Sequence, residues 1–307
     1  MIEHTVHFFG PSASQSAANR LFPAWNNTIG AKVRLVSHDT SGHRLSATEI
    51  LRFLQSDPQF IAAVFTGHKV EMAQNLSPYR SIEAPARDLN QVGGLLRIKQ
   101  DLHAFSQDVC ASAPEIDSIL GCNGAQFRRS VILGAGGAGR SIAYCLQRKY
   151  PQMRVAIYDV DEVRLNAASH ILERTGCRPV ALLHQADVVE EIENPGVFLV
   201  NATGVGKEEP GLVLTSPFRF DKSAIYWDLN YRGTLDLLQK AKVETSEARN
   251  GGARDGWSLF LRSWHDVLSR VAIALGATPP TIDEVSFASD EVSFASLSES
   301  EHACAAT

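Results

Sequence analysis

Ser130-Val131-Ile132-Leu133 runs straight into Gly134-Ala135-Gly136-Gly137-Ala138-Gly139, after which Ile142, Ala143 and Leu146 recur at helical spacing. An apolar strand, a G-x-G-x-x-G turn and an amphipathic helix in that order can hold a pyrophosphate. The first glycine permits the tight turn, the second lets the backbone approach the phosphates, and the third lets the helix pack on the strand. Exposed amides and the helix dipole favour the anion. Val155-Ala156-Ile157-Tyr158 reads as the next strand, and Asp159 at its end can accept hydrogen bonds from the adenine ribose hydroxyls. A carboxylate there repels a 2′-phosphate, and no arginine follows before Arg164, so the expected cofactor is NAD, with NADP disfavoured. Without a ligand the same residues would be a Gly-rich turn and a strand-end cap; their combination in order favours the dinucleotide.

The elements needed to position these groups alternate between strand and helix patterns. Thr5–Phe9, Lys32–Leu35 and Ile61–Phe65 read as strands. Residues 14–22 read as a helix, and Ser46-Ala47-Thr48-Glu49 is a capping box opening another helix through Gln55. A second series begins near Ser130, with strands at Val131–Leu133, Val155–Tyr158, Val180–Leu183, Val197–Val200 and Ile225–Asp228, and helices at Gly139–Arg148 and Val163–Arg174. Such alternation predicts mainly parallel sheets with right-handed crossovers. The expected fold class is α/β with two domains: an N-terminal α/β substrate domain over residues 1–105 and a Rossmann domain over 106–235. Helices within 236–280, interrupted by the loop 250–256, are expected to pack back on the first domain. Residues 281–307 carry six acids, no Lys or Arg, and a tandem Asp-Glu-Val-Ser-Phe-Ala-Ser, and read as a disordered acidic tail.

The 307 residues are 44% hydrophobic and 21% charged with a net charge of −5, a globular composition without the basic excess that a nucleic-acid partner needs. The five cysteines form no C-x-x-C pair, and the ten histidines show no metal-ligand spacing, so reduced thiols and no metal site are expected. No signal-peptide pattern or membrane-length apolar run is present, and a cytoplasmic monomer or homodimer is the expectation.

Several short motifs, in shared order over residues 5 to about 275, resemble the shikimate/quinate dehydrogenase family. They are Gly10-Pro11-Ser12-Ala13-Ser14 with Asn19 and Phe22, Gly67-His68-Lys69, Asp101, Asn201-Ala202-Thr203-Gly204-Val205-Gly206, Asp228-Leu229-Asn230-Tyr231, and Gly256 with Leu259. The resemblance implies an NAD(P)-dependent dehydrogenase of CH–OH donors, whose small-molecule substrate is a hydroxylated ring carboxylate. Ser12 and Ser14 would bind the substrate carboxylate. Lys69 and Asp101 would be the catalytic pair, and Thr66, Tyr231 and Ser263 would touch the substrate. Asn201, Thr203, Gly204, Leu229, Gly256 and Leu259 would line the cofactor. The chemistry is sound by itself: an amine beside a carboxylate can shuttle the hydroxyl proton as hydride leaves carbon, and the ammonium polarises the ketone in reverse.

Departures from the family pattern touch recognition. Gly93 stands where the family has an Asn, Ser263 where it has a Gln, and Lys99-Gln100 precede Asp101 in place of Asn-Thr. Lost polar contacts change discrimination among hydroxylated substrates. Three readings therefore stand: a dehydrogenase of the shikimate or quinate class, a catalytically silent metabolite-binding regulator, and a Rossmann reductase acting on a different carbonyl or imine.

Overall fold

The structure is a computed structural model and describes residues 3–41, 45–75, 77–121, 127–207, 210–245 and 252–292. By its internal contacts the chain divides into two units, Met1–Gln107 with Leu261–Thr307, and Asp108–Phe260.

The first unit is a mixed sheet with helices. Its elements are β1 (His4–Gly10), α1 (Ala18–Ile29), β2 (Val33–Asp39), α2 (Ala47–Ser56), β3 (Phe60–Phe65), α3 (Lys69–Gln74), β4 (Tyr79–Ile82), α4 (Ala84–Asp88), β5 (Gly94–Ile98) and β6 (Asp101–Phe105). Strand order is β2-β1-β3-β5-β6-β4. β1 is parallel to β2 and β3, while β5 runs antiparallel to β3 and β6. The three parallel strands fall where the sequence places them: β1 and β3 are buried along almost their whole length, as in a sheet covered on both faces, whereas β2 is the half-exposed edge strand. The capping box also forms: Ser46 N–H donates to Glu49 Oε2 at 2.8 Å and Glu49 N–H to Ser46 Oγ at 3.3 Å. The helix expected over 14–22 instead splits into a 3-10 turn at Ala13–Gln15 and α1. The β5–β6 hairpin is new relative to the sequence reading. Its turn is Lys99-Gln100 with Lys99 at φ 58°, a left-handed position with no Gly or Asn to announce it.

One face of this sheet buries Phe9, Phe65 and Leu95 with Ile50 and Leu54 of α2. Elsewhere in the unit Trp264, near the middle of α10 (Trp257–Ala274), stacks edge-on against Phe8 and Phe22 and lies 5.7 Å from Trp25. Residues 282–292 form a helix, contrary to the expected disordered tail. Thr281 and Glu284 make a second capping box, and Val285, Ala288 and Ser289 share a buried face. The indole N–H of Trp25 donates to Ser289 Oγ at 2.8 Å. The tandem heptad thus opens as a packed amphipathic helix; the tail from 293 onward lies outside the described residues, as do 122–126 of the expected connecting region.

The second unit holds α5 (Gln107–Leu120) from its second residue, then β7 (Arg129–Leu133), α6 (Gly137–Lys149), β8 (Arg154–Tyr158), α7 (Glu162–Arg174), β9 (Val180–Leu182), α8 (Gln185–Ile192), β10 (Val197–Asn201), β11 (Ile225–Asp228), α9 (Asp236–Glu244), β12 (Ala253–Arg254) and the first turn of α10. The order β12-β11-β10-β7-β8-β9 is parallel throughout and is the Rossmann order, with its switch point between β7 and β10. α9 stays with this sheet: Leu237, Leu238 and Ala241 bury in its core beside Tyr226. Only α10, from Leu261 on, and the helix at 282–292 group with the first unit, so the expectation that all helices after 235 pack there is corrected for α9.

Candidate active site

In the second unit, β7 delivers the chain into the glycine loop at the switch point. Gly134 adopts φ 104°, and its N–H donates to Tyr158 O at 2.7 Å. A Cβ on Gly139 would lie 1.9 Å from Gly134 O, so strand and helix approach as closely as a third glycine allows. Around Gly136 a Cβ would meet nothing within 4 Å, which leaves room for a phosphate against the backbone. No side chain caps α6, so the first-turn amides at Gly137 and Ala138 remain as anion donors. Arg140 was not singled out from sequence. It is buried, and its Nε donates to Ala135 O at 3.1 Å, bracing the loop.

Asp159 sits at the end of β8 as expected, but it has a local duty besides. Its Oδ2 accepts from Ala135 N–H at 2.8 Å and its Oδ1 from Asp161 N–H at 2.9 Å. Arg164 comes within 3.5 Å of Asp159 and 3.4 Å of Asp161. A cavity of about 360 Å³ opens beside them, lined by Gly134, Gly136, Asp159, Val160, Arg164 and Thr203. The position of Arg164 at this cavity was not legible in sequence, where four intervening residues hide one helical turn.

Asn201 and Asp228, at the ends of β10 and β11, form a buried polar knot. Asn201 Nδ2 donates to Asp228 Oδ2 at 3.1 Å, and Tyr226 OH donates to the same oxygen at 2.6 Å. Thr203 donates through both N–H (3.1 Å) and Oγ1 (2.7 Å) to Asn201 Oδ1. Burial holds the Asp228 carboxyl above its usual range and pushes the Tyr226 hydroxyl well up. Asn201 therefore shapes the loop carrying Thr203 and Gly204. Leu229 N–H donates to Asn201 O at 2.9 Å, and a Cβ on Gly256 would strike Leu229 O at 2.0 Å. Tyr231 packs 4.5 Å from Phe260 and 5.6 Å from Trp257 by ring centroids, and Leu259 lies half-buried in the first turn of α10. Asp228→Ala should cost about 2–4 kcal/mol, because it leaves Tyr226 OH and Asn201 Nδ2 buried and unmatched at ~1–3 kcal/mol each. Denaturant unfolding of wild type and variant measures it; a loss below about 1 kcal/mol, no more than a surface change costs, would contradict the role.

In the first unit, the candidate substrate groups gather at the carboxyl ends of β1, β2 and β3. Ser12 and Ser14 lie in the 3-10 turn after β1. Thr66 follows β3, donating its N–H to Phe9 O at 2.9 Å, and Lys69 opens α3. Phe65, the last residue of β3, is fully buried in the core, and Thr66 follows it at the strand's carboxyl end. Ser14 already has an anionic partner: Asp39 Oδ1 accepts from Ser14 N–H at 2.8 Å and Asp39 Oδ2 from Ser14 Oγ at 2.5 Å. Ser263 lies half-buried on α10.

Asp101 is not brought to Lys69. The Lys69 carbonyl accepts from Val92 N–H at 2.9 Å, and Gly93 N–H donates to Phe105 O at 2.9 Å, which places Lys69 at the Gly93–Phe105 end of the hairpin. Asp101 pairs with Ile98 at the turn end, four residues before Phe105 in β6 and therefore about 13 Å from it at strand rise. Its assignment as the catalytic carboxylate is corrected for that reason. Asp108 follows Gln107 directly, in the first turn of α5. Gln107 is buried, donates from Nε2 to Gly93 O at 3.1 Å, and has its Oε1 2.1 Å from where a Cβ of residue 93 would stand. An amide from position 107 thus fills the space that a side chain at 93 would take. Placing the hairpin in the sequence would have drawn attention to Ser106-Gln107-Asp108, which follow β6 directly.

Among the described residues, no group of three His, Cys, Asp or Glu side chains is placed to hold a metal ion, and no helix is long and apolar enough to cross a membrane.

These two units, an all-parallel Rossmann sheet with a phosphate loop and a mixed sheet with a lysine after its third strand, define an α/β protein of the dinucleotide-binding dehydrogenase class of folds. The chain is a homologue of shikimate dehydrogenase. It is 27% identical over 191 residues to the NADP(+) shikimate dehydrogenase of Thermus thermophilus, an alignment covering 61% of this chain and 66% of that protein, just short of two thirds of its length. Solved structures extend the likeness of fold to nearly the whole chain. Quinate dehydrogenase of Corynebacterium glutamicum, in complex with NAD, superposes with a TM-score of 0.71 at 18% identity, covering 93% of this chain and 98% of that one. The Thermus thermophilus enzyme with shikimate gives 0.66 at 19% identity, covering 94% and 98%. 5-Ketofructose reductase of a Gluconobacter species gives 0.65 at 17% identity, covering 94% and 99%. No protein-family profile matches the chain.

Proposed function

We propose that this chain is a nicotinamide-dependent oxidoreductase that moves a hydride between the nicotinamide and a secondary-alcohol carbon of a small hydroxylated substrate. The observation that carries the reading is the phosphate loop Gly134–Gly139 joined in one chain to Lys69 at the carboxyl end of β3, the arrangement shared by fold with shikimate and quinate dehydrogenases. In the oxidative direction the alcohol loses hydride to the oxidised nicotinamide and its hydroxyl proton to Lys69, giving ketone, reduced nicotinamide and a proton. Asp108 is the carboxylate proposed to work with Lys69. The bound nicotinamide supplies the hydride acceptor; Gly136, Gly137 and Ala138 hold its phosphates and Asp159 its ribose. Shikimate and quinate are the substrates named for two of the structural relatives, and a ketosugar for the third. Incubating the protein with each dinucleotide and a panel of ring acids, polyols and ketoses, and following reduced cofactor, tests the reading; dinucleotide binding with no turnover of any member would favour a silent metabolite-binding homologue.

NAD is the proposed cofactor. Asp159 and Asp161 both face the single guanidinium of Arg164, so the ribose end is net negative and opposes a 2′-phosphate. Wild type is expected to have the higher kcat/KM with NAD. Val160 is 79% exposed at this rim, and a serine at 161 can keep the cap that Asp161 gives Arg164 N–H. The double variant Val160→Arg/Asp161→Ser should therefore move preference toward NADP by roughly 10–100-fold, the worth of one or two hydrogen bonds to a charged group. A wild-type preference for NADP, read from the same kinetics, would overturn the assignment.

A further inference from the structure

We infer that the substrate bears no carboxylate and is a neutral polyol or the ketone derived from it. This rests on the oxidoreductase reading above. The position where the family resemblance puts a substrate carboxylate is held by the chain's own Asp39. The parallel register sets Gly10 of β1 opposite Asp39 of β2, so the strand end lies beside the turn that follows Pro11. Both donors of Ser14, the N–H at 2.8 Å and the hydroxyl at 2.5 Å, go to the two oxygens of this one carboxylate. The turn is held in shape by Asn19, whose Nδ2 donates to the carbonyls of Ala13 (2.8 Å), Ser14 (3.1 Å) and Ser16 (3.2 Å), and whose Oδ1 accepts from Ser37 Oγ at 2.6 Å. Hydrogen bonding from the Ser14 hydroxyl and amide keeps the Asp39 carboxyl below its usual range, so it stays ionised at neutral pH.

The second observation lies after β6. Gly93 has no side chain to offer, and Gln107 fills its place. Gln107 Nε2 donates to Gly93 O, while its buried Oε1 has no hydrogen-bond partner. The nearby Ser106 hydroxyl oxygen is likewise buried and unpartnered. Asp39 therefore presents carboxylate acceptors at the end of β2, and Gln107 leaves one acceptor unused beside Gly93. Such acceptors suit a ligand rich in hydroxyl donors, and an ionised Asp39 on Ser14 repels a carboxylate from the grip it would otherwise use. A vicinal diol can donate to the exposed lone pairs of Asp39 without displacing Ser14. The chemistry is the balanced exchange already given: the polyol carbon loses hydride to the nicotinamide and its hydroxyl proton to Lys69.

The test uses the full chain, wild type and Asp39→Asn, with NAD and two sets of probes: myo-inositol, D-sorbitol and D-fructose as neutral compounds, shikimate and quinate as ring acids. Turnover is read as change in reduced cofactor, in both directions, and binding by calorimetry. The expected result is a wild-type kcat/KM at least about 100-fold higher for one neutral probe than for either acid, the scale on which mismatched polar groups discriminate. Asp39→Asn should raise KM for that probe roughly tenfold and lower it for the acids by a similar factor. Gln107→Leu should weaken the neutral probe while leaving NAD binding intact. Wild-type turnover of shikimate or quinate with constants unmoved by Asp39→Asn would overturn this inference and leave the oxidoreductase reading standing. No turnover of any probe would sink that reading; calorimetry then decides the inference separately, supported by neutral probes binding in preference to acids and defeated by the reverse or by no binding of either.

Discussion

Lys69→Ala is expected to lower kcat by roughly 10²–10⁴-fold, the range for a positioned proton donor or acceptor, while the dissociation constant for NAD stays within about twofold. The two readouts separate because the groups reside in different units: Lys69 opens α3 in the first, whereas the phosphate loop and Asp159 belong to the second. The backbone of Lys69 carries a structural bond, its carbonyl accepting from Val92 N–H, and the alanine variant keeps it. Lys69→Arg is the more discriminating change. It preserves the charge and the stem but holds its proton at any accessible pH, so a mere charge requirement would spare activity and a proton shuttle would not. Near-wild-type turnover in Lys69→Arg would remove the shuttle from the mechanism; comparable losses in both variants support it. Thermal unfolding of each protein guards against a folding defect.

The Rossmann half was the more legible because its signals are local. A strand, a glycine turn and a helix sit in one run of residues, and the strand ends fall within a few residues of those read from the apolar runs. Asp159 was found, but not its bond to Ala135 N–H, which depends on how the strand ends meet in space. The first unit was legible where strands are parallel and apolar. It failed at β5–β6, where Lys99 takes a left-handed conformation without a glycine or asparagine to mark it. That one miss propagated: with no hairpin in view, Asp101 was set against the family's aspartate although it lies at the turn, and Gln107 passed unnoticed. The contact between Ser14 and Asp39 has no sequence signal at all. It arises from the parallel register of β1 and β2, which brings a strand end beside a turn some distance back in the chain. The helix at 282–292 was hidden by composition: the acids that suggest disorder line its exposed side, while Val285, Ala288 and Ser289 fill the buried one.

The contrast between two aspartates gives the sharpest check on the corrected site. Asp108→Asn is expected to lower kcat by roughly 10²–10³-fold, within the range for a group that assists proton transfer, and Asp101→Asn to leave kcat and KM within about twofold. Asp101 is exposed beside the Lys99-Gln100 turn, and the strand pairing puts it at the opposite end of the hairpin from the residues that bond to Lys69 and Gly93. Asp108 follows Gln107, whose side chain is anchored on Gly93 O, so the first turn of α5 starts at the Lys69 end. Asparagine at 108 keeps the shape and most of the helix-start preference, which limits any loss of stability to about a few tenths of a kcal/mol, the gap between good capping residues. A structural role alone would lower the unfolding midpoint without changing how rate depends on pH. A role in proton transfer should instead shift the pH dependence of kcat/KM, and Asp108→Asn combined with Lys69→Ala should be little worse than Lys69→Ala alone, since residues that act as a unit do not add. Full activity in Asp108→Asn together with a large loss in Asp101→Asn would restore the original assignment and show that strand register misplaces the reacting end of this sheet.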